Sequence, residues 1–307
     1  MSKGTAGFMN GPTPIDAAPR LAVDLGLDAD DLLVKRDDLM GLGGGGNKVR
    51  KLQVTMGQAL DAAADVVVTT GAAQSNHARL TAAAGARVGL PVVLVLQGHA
   101  PETERGNVLL DRLFGAEIIW SGHRPPEAVA DEVEHDRSRG RVHRIPFGGS
   151  SPASAEAYVR AGEEVLDQVP DVRHVVVAVG SGGTMAGLVT AVGAERVLGV
   201  DTGAVPDARR TVHALMEGMR SGTQGAADSL RIDGGQVGQG YEHLAESTRA
   251  ALSRAARTEG LILDPTYSGR AMAGLVSAVA SGGIRPGDKT VFLHTGGLPG
   301  LFGHEAF

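Results

Sequence analysis

"GLGGGGNKVRKL", residues 41–52, sets five glycines within six positions ahead of a lysine and a predicted helix. Lys48 falls in the first turn of that helix, where a cation opposes the helix dipole, so the neutral amine is favoured. A neutral amine is the form that attacks a carbonyl to give a Schiff base. The glycines would let a flat ligand approach the main chain closely. A solvated lysine on a flexible loop is the alternative interpretation.

Lysines are scarce in this chain, which draws attention to Lys48. Only five of the 29 basic residues are lysines, so lysine chemistry has few candidates. The helix that follows the glycines is amphipathic. Its inward face is predicted to carry Val49, Leu52, Met56 and Leu60.

The composition is that of an ordinary globular protein. A chain of 307 residues is long enough for two lobes, and 42% hydrophobic and 21% charged residues are typical values. No apolar run approaches the roughly 18 residues of a membrane span. A net charge of −6 and few aromatic residues give no electrostatic reason to bind nucleic acid. We therefore expect a small-molecule partner, with no nucleic acid and no membrane.

The first residues, the lack of cysteine and the spacing of the histidines limit the expected cellular location and the possible chemistry. The first residues, "MSKGTAGFMNGPTPID", carry neither a polybasic tract nor a secretory leader, so we expect a cytoplasmic protein. Cysteine is absent, which excludes disulfides, cysteine nucleophiles and thiolate metal sites. The ten histidines show no HExxH or similar spacing, and no metal site is predicted.

Strand-like and helix-like segments alternate along almost the whole chain. Short β-branched runs that end in Gly, Ser or Thr are predicted strands, at 65–71, 91–98, 116–122, 141–149, 174–183, 195–203 and 289–297. Helical patterns such as "SNHARLTAAAGARVG" lie between them. This alternation predicts an α/β fold with parallel sheets covered on both faces. Residues 203–240, rich in Gly, Ser and Asp, are predicted to be loop at the mouth of a site.

Ligands in parallel α/β sheets collect beyond the carboxyl ends of the strands, so the turns from strand to helix are where chemistry is expected. In "TTGAAQSNHARL", 69–80, Ser75 and Asn76 lie where free first-turn amides could hold an anion such as an amino-acid carboxylate. The alternative interpretation of the same stretch is that Ser75 is an ordinary helix N-cap. His77 is interpreted as structural rather than catalytic.

A further turn is predicted to bind phosphate. In "VAVGSGGTMAGL", an apolar strand leads into a helix through Gly180, Ser181, Gly182, Gly183 and Thr184. Consecutive N–H groups and two hydroxyls suit a phosphate at a helix N-terminus. The stretch lacks the GK[ST] ending of a Walker loop and the acidic residue of a dinucleotide fingerprint, for which Asp201 is the nearest candidate. "LHTGGLPGLFG", 293–303, is also glycine-rich, but a turn at the chain end explains it equally well.

A lysine for a Schiff base, a phosphate cup and a carboxylate cup together suggest pyridoxal phosphate. The chain resembles the D-cysteine desulfhydrase and 1-aminocyclopropane-1-carboxylate (ACC) deaminase family, pyridoxal phosphate enzymes of the tryptophan-synthase-β-like fold type. The likeness runs over nearly the whole length in the family's order. It rests on "GPTPI", "VKRDDLMG", "GGNKVRKL", "GAAQSNHARLTAAA", "GSGGTMAGL", "ARTEGLILDPTYSGRAMAGL" and "LHTGGLPGLF".

The resemblance implies a role for each turn. Lys48 would bear the cofactor, Asn76 would lie beside its ring hydroxyl, and residues 180–184 would surround its phosphate. The substrate carboxylate would lie against Ser75 and its neighbours Gln74, Asn76 and His77.

The resemblance also implies a domain organisation. Residues 1–52 plus 156–307 would form a larger, cofactor-binding domain, and residues 53–155 a smaller one. The sheets would be twisted, mostly parallel and covered by helices. The protein would be a homodimer.

Two tyrosines match the family's active-site tyrosines. They are Tyr241 in "GQGYEHL" and Tyr267 in "DPTYSG", and their separation of 26 residues is the family's. Tyr158 is the only other tyrosine. Packing in the core is the alternative interpretation of the pair.

The residue after the second tyrosine favours the desulfhydrase branch. ACC deaminases have Glu there, against the pyridine nitrogen, and "QSNQ" where this chain has "QSNH"; here Ser268 and His77 stand instead. A carboxylate favours a protonated ring and a strong electron sink, useful for opening a cyclopropane, whereas a hydroxyl leaves the nitrogen largely neutral. The sequence therefore predicts α,β-elimination, with D-cysteine giving pyruvate, sulfide and ammonia.

One segment departs from the family pattern. The desulfhydrases read like "GYGVP" after the first tyrosine, whereas this chain has "GYEHL", and the stretch before it is shortened and rich in Gly. ACC deaminase activity therefore stays an alternative. So does a specialised lyase that acts on another β-substituted alanine or on cysteate.

The predicted mechanism assigns the Cα proton to the Lys48 amine or to a tyrosinate. Tyr267 is the candidate for contact with the thiol or for proton transfer, with Tyr241 assisting. Two competing classes remain. A Rossmann-type nucleotide-binding enzyme leaves the Lys48 stretch without a role, and a non-enzymatic pyridoxal-phosphate-binding protein does not need both tyrosines.

Overall fold

The computed structural model describes residues 6–9, 11–221 and 227–307, which form two β-sheets flanked by helices. The strands are β1 (Ile15–Ala17), β2 (Leu32–Lys35), β3 (Val66–Gly71), β4 (Val92–Leu96), β5 (Glu117–Trp120), β6 (Val142–Arg144), β7 (His174–Val179), β8 (Val197–Asp201), β9 (Arg231–Asp233) and β10 (Thr290–Leu293).

Helices connect most of these strands. They are α1 (Pro19–Leu25), α2 (Lys48–Asp61), α3 (Asn76–Val88), α4 (Gly106–Leu113), α5 (Pro126–His135), α6 (Pro152–Gln168), α7 (Gly183–Val192), α8 (Ala208–Gly218), α9 (Glu246–Glu259), α10 (Ser268–Ala280) and α11 (Leu298–Gly303). Within the described ranges, none of them has the length and apolar character needed to cross a membrane.

The larger sheet has six strands in the order β1-β2-β10-β7-β8-β9. Neighbouring strands are parallel except β1, which runs antiparallel to β2. The central strands β7 and β10 read "HVVVAV" and "TVFL" and are buried almost throughout, as expected for strands covered on both faces. Helices α6, α7 and α8 cover one face, and α1, α9 and α10 cover the other.

The smaller sheet has four parallel strands in the order β5-β4-β3-β6. Helices α2 and α3 pack on one face, and α5 packs on the other. Strand β3 is buried at all six positions and leads directly into the turn before α3. The start of α3 is therefore held by a rigid element.

The predicted α/β class with mostly parallel sheets is confirmed. The seven predicted strands correspond to β3–β8 and β10, whereas β1, β2 and β9 were missed. The prediction that 203–240 is loop is wrong in part, because α8 and β9 lie there; residues 222–226 are outside the described residues. Helix α8 forms because Val212 and Met216, one turn apart, pack into the core of the larger sheet.

Two predictions concern helix α2: which residues its inward face carries, and where the chain divides into domains. Its inward face holds three of the four predicted residues, but Leu60 is 41% exposed, and Ala59 points into the core instead. The predicted domain boundaries after residues 52 and 155 fall inside α2 and α6, while β3–β6 all lie between residues 53 and 155. The division into a larger and a smaller domain stays a prediction.

Candidate active site

Lys48 is the first residue of α2, and its side chain is buried. Its Nζ donates a hydrogen bond to the carbonyl oxygen of Gly148 at 3.0 Å and lies 3.5 Å from Ser181 Oγ. Gly148 belongs to the loop before α6, and Ser181 to the loop after β7. The amine therefore lies where three segments of the chain meet.

Two adjoining spaces open around this amine. The first, here called the lysine pocket, is lined by six of the predicted cofactor residues: Lys48, Asn76, Gly180, Ser181, Gly182 and Thr184. The second, the outer cavity, has a volume of about 940 Å³ and shares Lys48, Ser181 and Tyr267 with the pocket. Ser75, His77 and Tyr241 also line the outer cavity. The structure thus brings most of the predicted site residues together.

The glycines before α2 serve the packing of their own loop. All four from Gly43 to Gly46 have positive φ, which favours glycine. A Cβ on Gly45 would lie 2.1 Å from the carbonyl oxygen of Asp38, and one on Gly46 would lie 2.9 Å from that of Thr295. None of the four lines the lysine pocket or the outer cavity. The expectation that they admit a flat ligand is therefore corrected: they let the chain fold tightly against itself.

A buried ionic network fixes the start of α2. Arg50 donates to both carboxylate oxygens of Asp37, at 3.0 and 2.9 Å, and to both oxygens of Glu164, at 2.7 and 2.8 Å. Tyr158 donates to Asp37 at 2.6 Å, and its hydroxyl lies 3.2 Å from the carbonyl oxygen of Asn47, the residue that precedes the helix. Bidentate charged contacts of this kind restrict orientation strongly. The third tyrosine therefore has a positioning role that its sequence context did not indicate.

A second lysine lies in the same pocket. Lys51 is one helical turn after Lys48, is 1% exposed, and donates to Ser150 Oγ at 2.8 Å. Ser150 Oγ lies 2.7 Å from Ser181 Oγ, which belongs to the loop before α7. Thr184 Oγ1, in the first turn of α7, accepts a hydrogen bond from Asn47 at 3.0 Å. A cation, several hydroxyls and a helix N-terminus are thus grouped at one end of the pocket, a combination suited to an anion.

The glycines of the 180–183 loop are required by close contacts. A Cβ on Gly180 would lie 2.9 Å from the ring of Tyr267, and one on Gly183 would lie 2.8 Å from Ser150 Oγ and 3.1 Å from Lys51 Nζ. Gly182 has a φ of +85°. A side chain at Gly183 would intrude on the space beside Lys51, and one at Gly180 would press on the Tyr267 ring, so glycines keep this loop clear of both.

Both pocket lysines lack a negatively charged partner among the described residues. Burial lowers the pKa of Lys48 to about 8. Burial, reinforced by the charge of Lys48, holds the pKa of Lys51 well below its ordinary value. Two such amines call for a ligand that brings a carbonyl group and an anion, and pyridoxal phosphate brings both. The residues present therefore fit that cofactor.

Asn76 is the first residue of α3, and its amide is oriented by a buried network. Its Oδ1 accepts a hydrogen bond from Asn107 at 3.0 Å, which leaves its NH₂ group to donate into the lysine pocket. Arg79 donates to Asn107 Oδ1 at 3.1 Å and to the carbonyl oxygens of Gly43 and Gly45. This buried arginine therefore ties α3 to the loop that precedes Lys48.

Ser75 and His77 flank Asn76 at the edge of the outer cavity. Ser75 Oγ accepts a hydrogen bond from the N–H of Ala78 at 3.1 Å, so Ser75 is an N-cap and keeps its own proton free to donate. His77 Nε2 lies 2.9 Å from Thr69 Oγ1, whose proton goes to the carbonyl oxygen of Ile145. Nε2 therefore carries the imidazole proton. Burial holds the pKa of His77 well below its ordinary value, so the ring is neutral.

The two tyrosines form a hydrogen-bonded pair at the wall of the outer cavity. Their hydroxyl oxygens lie 2.5 Å apart, and their rings make an edge-to-face contact. Burial raises the pKa of Tyr241 to about 12 and that of Tyr267 well above its ordinary value. Both hydroxyls are therefore protonated near neutral pH and can act as donors.

Arg270 holds the segment that carries Tyr241. This arginine lies in the first turn of α10 and is 1% exposed. It donates to the carbonyl oxygens of Thr202, Gly240, Tyr241 and His243 at 2.6–2.9 Å. The glycine-rich segment before Tyr241 is therefore anchored to α10.

Three predicted residues line neither the lysine pocket nor the outer cavity. Ser268 is fully buried; its Oγ donates to Asp264 Oδ1 at 2.6 Å and accepts from the N–H of Asp264 at 2.8 Å. Gln74 bonds Asn107 and lines a neighbouring cavity of about 430 Å³. Gly183 lines neither space, although a Cβ there would lie 3.1 Å from Lys51 Nζ. Thr295, which the sequence did not single out, also lines the lysine pocket.

Four further residues at the site were missed, namely Asn47, Lys51, Ser150 and Arg270. Only Lys51 gave a usable signal, because its spacing of three from Lys48 places both lysines on one helix face. Ser150 lies 99 residues from its partner Lys51, and local sequence carries no trace of such a contact.

Comparison with known proteins agrees with this geometry. The family described as "Pyridoxal-phosphate dependent enzyme" matches residues 8–296. A D-cysteine desulfhydrase of Klebsiella pneumoniae is 37% identical, over 97% of this chain and 95% of that protein. A Pyrococcus abyssi protein, provisionally named an ACC deaminase, is 39% identical, over 94% of this chain and 90% of the relative. A crystal structure of an ACC deaminase homologue superimposes with a TM-score of 0.85 at 33% identity, covering 99% of this chain and 95% of that one.

The chain belongs to the pyridoxal-phosphate-dependent enzyme family. It is a pyridoxal-phosphate-dependent lyase with the tryptophan-synthase-β-like fold. The predicted family, fold type, enzyme class and cofactor are confirmed. The relatives carry two different names, D-cysteine desulfhydrase and ACC deaminase, so the family alone leaves the substrate open.

The lowered pKa of Lys48 predicts how cofactor uptake depends on pH. Only the neutral amine reacts with the aldehyde, and Lys48 loses its proton near pH 8 rather than near the ordinary lysine value. The rate at which cofactor-free protein captures pyridoxal phosphate, followed by absorbance, should therefore rise through about pH 8 and then level off. A rate that keeps rising to about pH 10 would contradict the buried, neutral state of this amine.

Removing the Lys51 amine should weaken cofactor retention. A charge-assisted contact is worth about 1.5–3 kcal/mol, so Lys51→Met should raise the dissociation constant roughly 10- to 100-fold. The double variant Ser181→Ala, Thr184→Ala should also weaken retention, with a smaller effect per group. Lys289→Met, at a lysine that pairs with Asp30 on the surface, is the control. Equal cofactor occupancy of the parent and the Lys51→Met variant after dialysis would contradict the role of Lys51 in holding the cofactor.

Proposed function

We propose that this lyase catalyses α,β-elimination from a small β-substituted amino acid, and that D-cysteine, converted to pyruvate, sulfide and ammonia, is the substrate that fits best. The observation that carries the proposal is the chemistry of the lysine pocket. Among its described lining residues there are two lysines, amides and hydroxyls, and no carboxylate. The lack of a carboxylate in this pocket helps to decide between elimination from D-cysteine and ring opening of ACC.

The reason lies in the pyridine nitrogen of the cofactor. A carboxylate beside that nitrogen stabilises its protonated form and makes the ring a strong electron sink, which opening a cyclopropane requires. A hydroxyl leaves the nitrogen largely unprotonated. A weaker sink is sufficient when the electrons depart promptly with a leaving group on Cβ. The hydroxyl-lined pocket therefore supports elimination over ring opening.

The hydroxyl that we assign to the nitrogen is that of Thr295. Ser268 uses its proton on Asp264, so it has none to donate to a neutral nitrogen. Asp264 in turn accepts from the N–H groups of Thr266 and Tyr267 as well as from Ser268, so its carboxylate is occupied in capping α10. Thr295 lines the lysine pocket, and the residue after it, Gly296, has its carbonyl oxygen 3.4 Å from Ser268 Oγ, so Thr295 stands close to the residue that the sequence had assigned to the nitrogen.

Proton transfer at Cα is assigned to Lys48. The bound cofactor would supply the electron sink that makes the Cα proton acidic. Of the two bases considered from the sequence, tyrosinate is disfavoured because both tyrosines hold their protons strongly. The Lys48 amine has a pKa of about 8 and lines both the lysine pocket and the outer cavity.

The tyrosine pair and Ser75 would bind the two ends of the substrate. In the pair, one hydroxyl donates to the other, which leaves one proton to donate to a departing sulfur. We assign that contact to Tyr267, with Tyr241 assisting. Ser75 has its hydroxyl proton free, and the first-turn N–H groups of α3 lie beside it, so together they suit the substrate α-carboxylate.

We also propose the oligomeric state, the cellular location and the domain division of the protein. We expect a homodimer, because the family resemblance implies one. We expect a cytoplasmic location. We also keep the division into a domain of residues 1–52 plus 156–307 and a domain of residues 53–155.

The choice of reaction can be tested by measuring two products side by side. The purified enzyme should convert D-cysteine or β-chloro-D-alanine to pyruvate, and should release 2-oxobutyrate from ACC at least about a hundredfold more slowly, a difference of roughly 2.7 kcal/mol in transition-state stabilisation. The measurement is kcat/KM for each substrate at saturating cofactor. Faster release of 2-oxobutyrate from ACC would transfer the protein to the deaminase branch. Activity on neither substrate, with cofactor bound, would favour a more specialised lyase.

A further inference from the structure

The charges around the outer cavity are unevenly distributed. Among its described lining residues, Lys48 is the one lysine, and no arginine is present. Two carboxylates line the cavity, those of Glu127 and Glu242. The α-carboxylate of an amino acid has a place at Ser75 and the start of α3, but a second anionic group would find no lysine or arginine there other than Lys48, which the proposed reaction already uses. The cavity is therefore suited to a substrate with a single negative charge.

The side of the outer cavity that carries Glu127 has an excess of negative charge, even though Glu127 pairs with an arginine. Glu127 accepts a hydrogen bond from Thr70 at 2.5 Å and forms an ion pair with Arg144. The same guanidinium also lies 3.5 Å from Asp131 and 3.7 Å from Glu134. One arginine thus faces three carboxylates, so the excess charge on this side is negative.

Glu242 is an exposed carboxylate on the wall of the outer cavity. It directly follows Tyr241, and no hydrogen bond or ion pair to it is found within the described ranges. It lines both the outer cavity and the neighbouring 430 Å³ cavity, so it stands at the wall between them. It also belongs to the "GYEHL" segment, where this chain departs from the desulfhydrase pattern.

The size of the cavity gives the β-substituent room to reach this wall. A volume of about 940 Å³ lies near the top of the range of roughly 300–1,000 Å³ for small-molecule sites, far more than cysteine alone would fill. A substituent on the sulfur could extend from the tyrosine pair toward Glu242. At that position a cation would be attracted and an anion repelled, and because Glu242 and Glu127 are exposed, salt would screen the effect.

We propose that Glu242 is a specificity-determining residue, and that the enzyme accepts β-substituted alanines whose substituent is extended and neutral or positively charged, while it rejects anionic substituents, including cysteate. This inference rests on the proposed elimination and narrows its substrate class. In each reaction the Cα proton is removed, its electron pair forms the Cα–Cβ double bond, and the Cβ–S bond breaks. The sulfur leaves as a thiol once protonated, and water then completes the release of pyruvate and ammonium.

Three S-substituted D-cysteines of similar length test the inference. They are the 2-aminoethyl (cationic), 2-hydroxyethyl (neutral) and carboxymethyl (anionic) derivatives, assayed for pyruvate at pH 8.5, where an ordinary imidazole is uncharged. Their affinities are measured separately from the change in cofactor absorbance on binding, for both enantiomers, so that selectivity can be read without turnover. D-Cysteine is included as the direct test of the proposed function.

The parent enzyme should prefer the aminoethyl over the carboxymethyl derivative by about tenfold or more in kcat/KM and in affinity, with the hydroxyethyl derivative in between. Glu242→Gln should reduce that preference by about three- to fivefold, and the effect should shrink as salt is raised. Glu246→Gln, at an exposed carboxylate that lines neither space, should leave the preference unchanged.

Two outcomes would overturn the inference. One is a carboxymethyl derivative or cysteate that is bound or converted as well as the aminoethyl derivative. The other is a preference that is the same in parent and Glu242→Gln. Failure of the proposed function looks different, because no pyruvate would then form from D-cysteine or any of its derivatives, while the binding titration would still report the charge preference.

Discussion

Two lysine amines are buried one helical turn apart at the start of α2, and the described residues offer neither of them a carboxylate. Burying an ammonium group without a counter-charge is unfavourable, so the pKa values of Lys48 and Lys51 are both lowered. A ligand that brings a phosphate and an aldehyde removes both penalties. The rest of the site is arranged around this requirement, since the lining contributes hydroxyls, amides and main-chain N–H groups rather than acids.

Three buried arginines hold the segments that surround the lysines. Arg50 is paired with Asp37 and Glu164 beneath the start of α2. Arg79 and Arg270 instead donate mainly to main-chain carbonyl oxygens, at the glycine loop and at the segment that bears Tyr241. Because a guanidinium has five donors in a fixed plane, it can fasten a loop at several points. Arg79 and Arg270 thus fix loops near the site through carbonyl oxygens rather than through carboxylates.

Local patterns in the sequence predicted the α/β class, seven strands and the two turns that line the lysine pocket. The sequence did not predict the short edge strands β1 and β9, because three residues carry too little periodicity. It also misjudged the glycines before Lys48, which have positive φ and approach the carbonyl oxygens of residues 38, 40 and 295 too closely for a Cβ. Thr295 was missed at the pocket, and Ser268 was assigned there, because neighbours in sequence do not reveal which hydroxyl has its proton already in use.

The most direct test of this account is the position of the cofactor on the chain. Reduction of the cofactor-bound protein with borohydride fixes the cofactor to the amine that holds it, and peptide mapping then identifies the residue. Lys48 should carry the label, and a Lys48→Ala variant that keeps its fold should carry none. A label on Lys51 or on Lys289 would contradict this assignment, because the first residue of α2 would then not be the reactive amine around which the pocket is built.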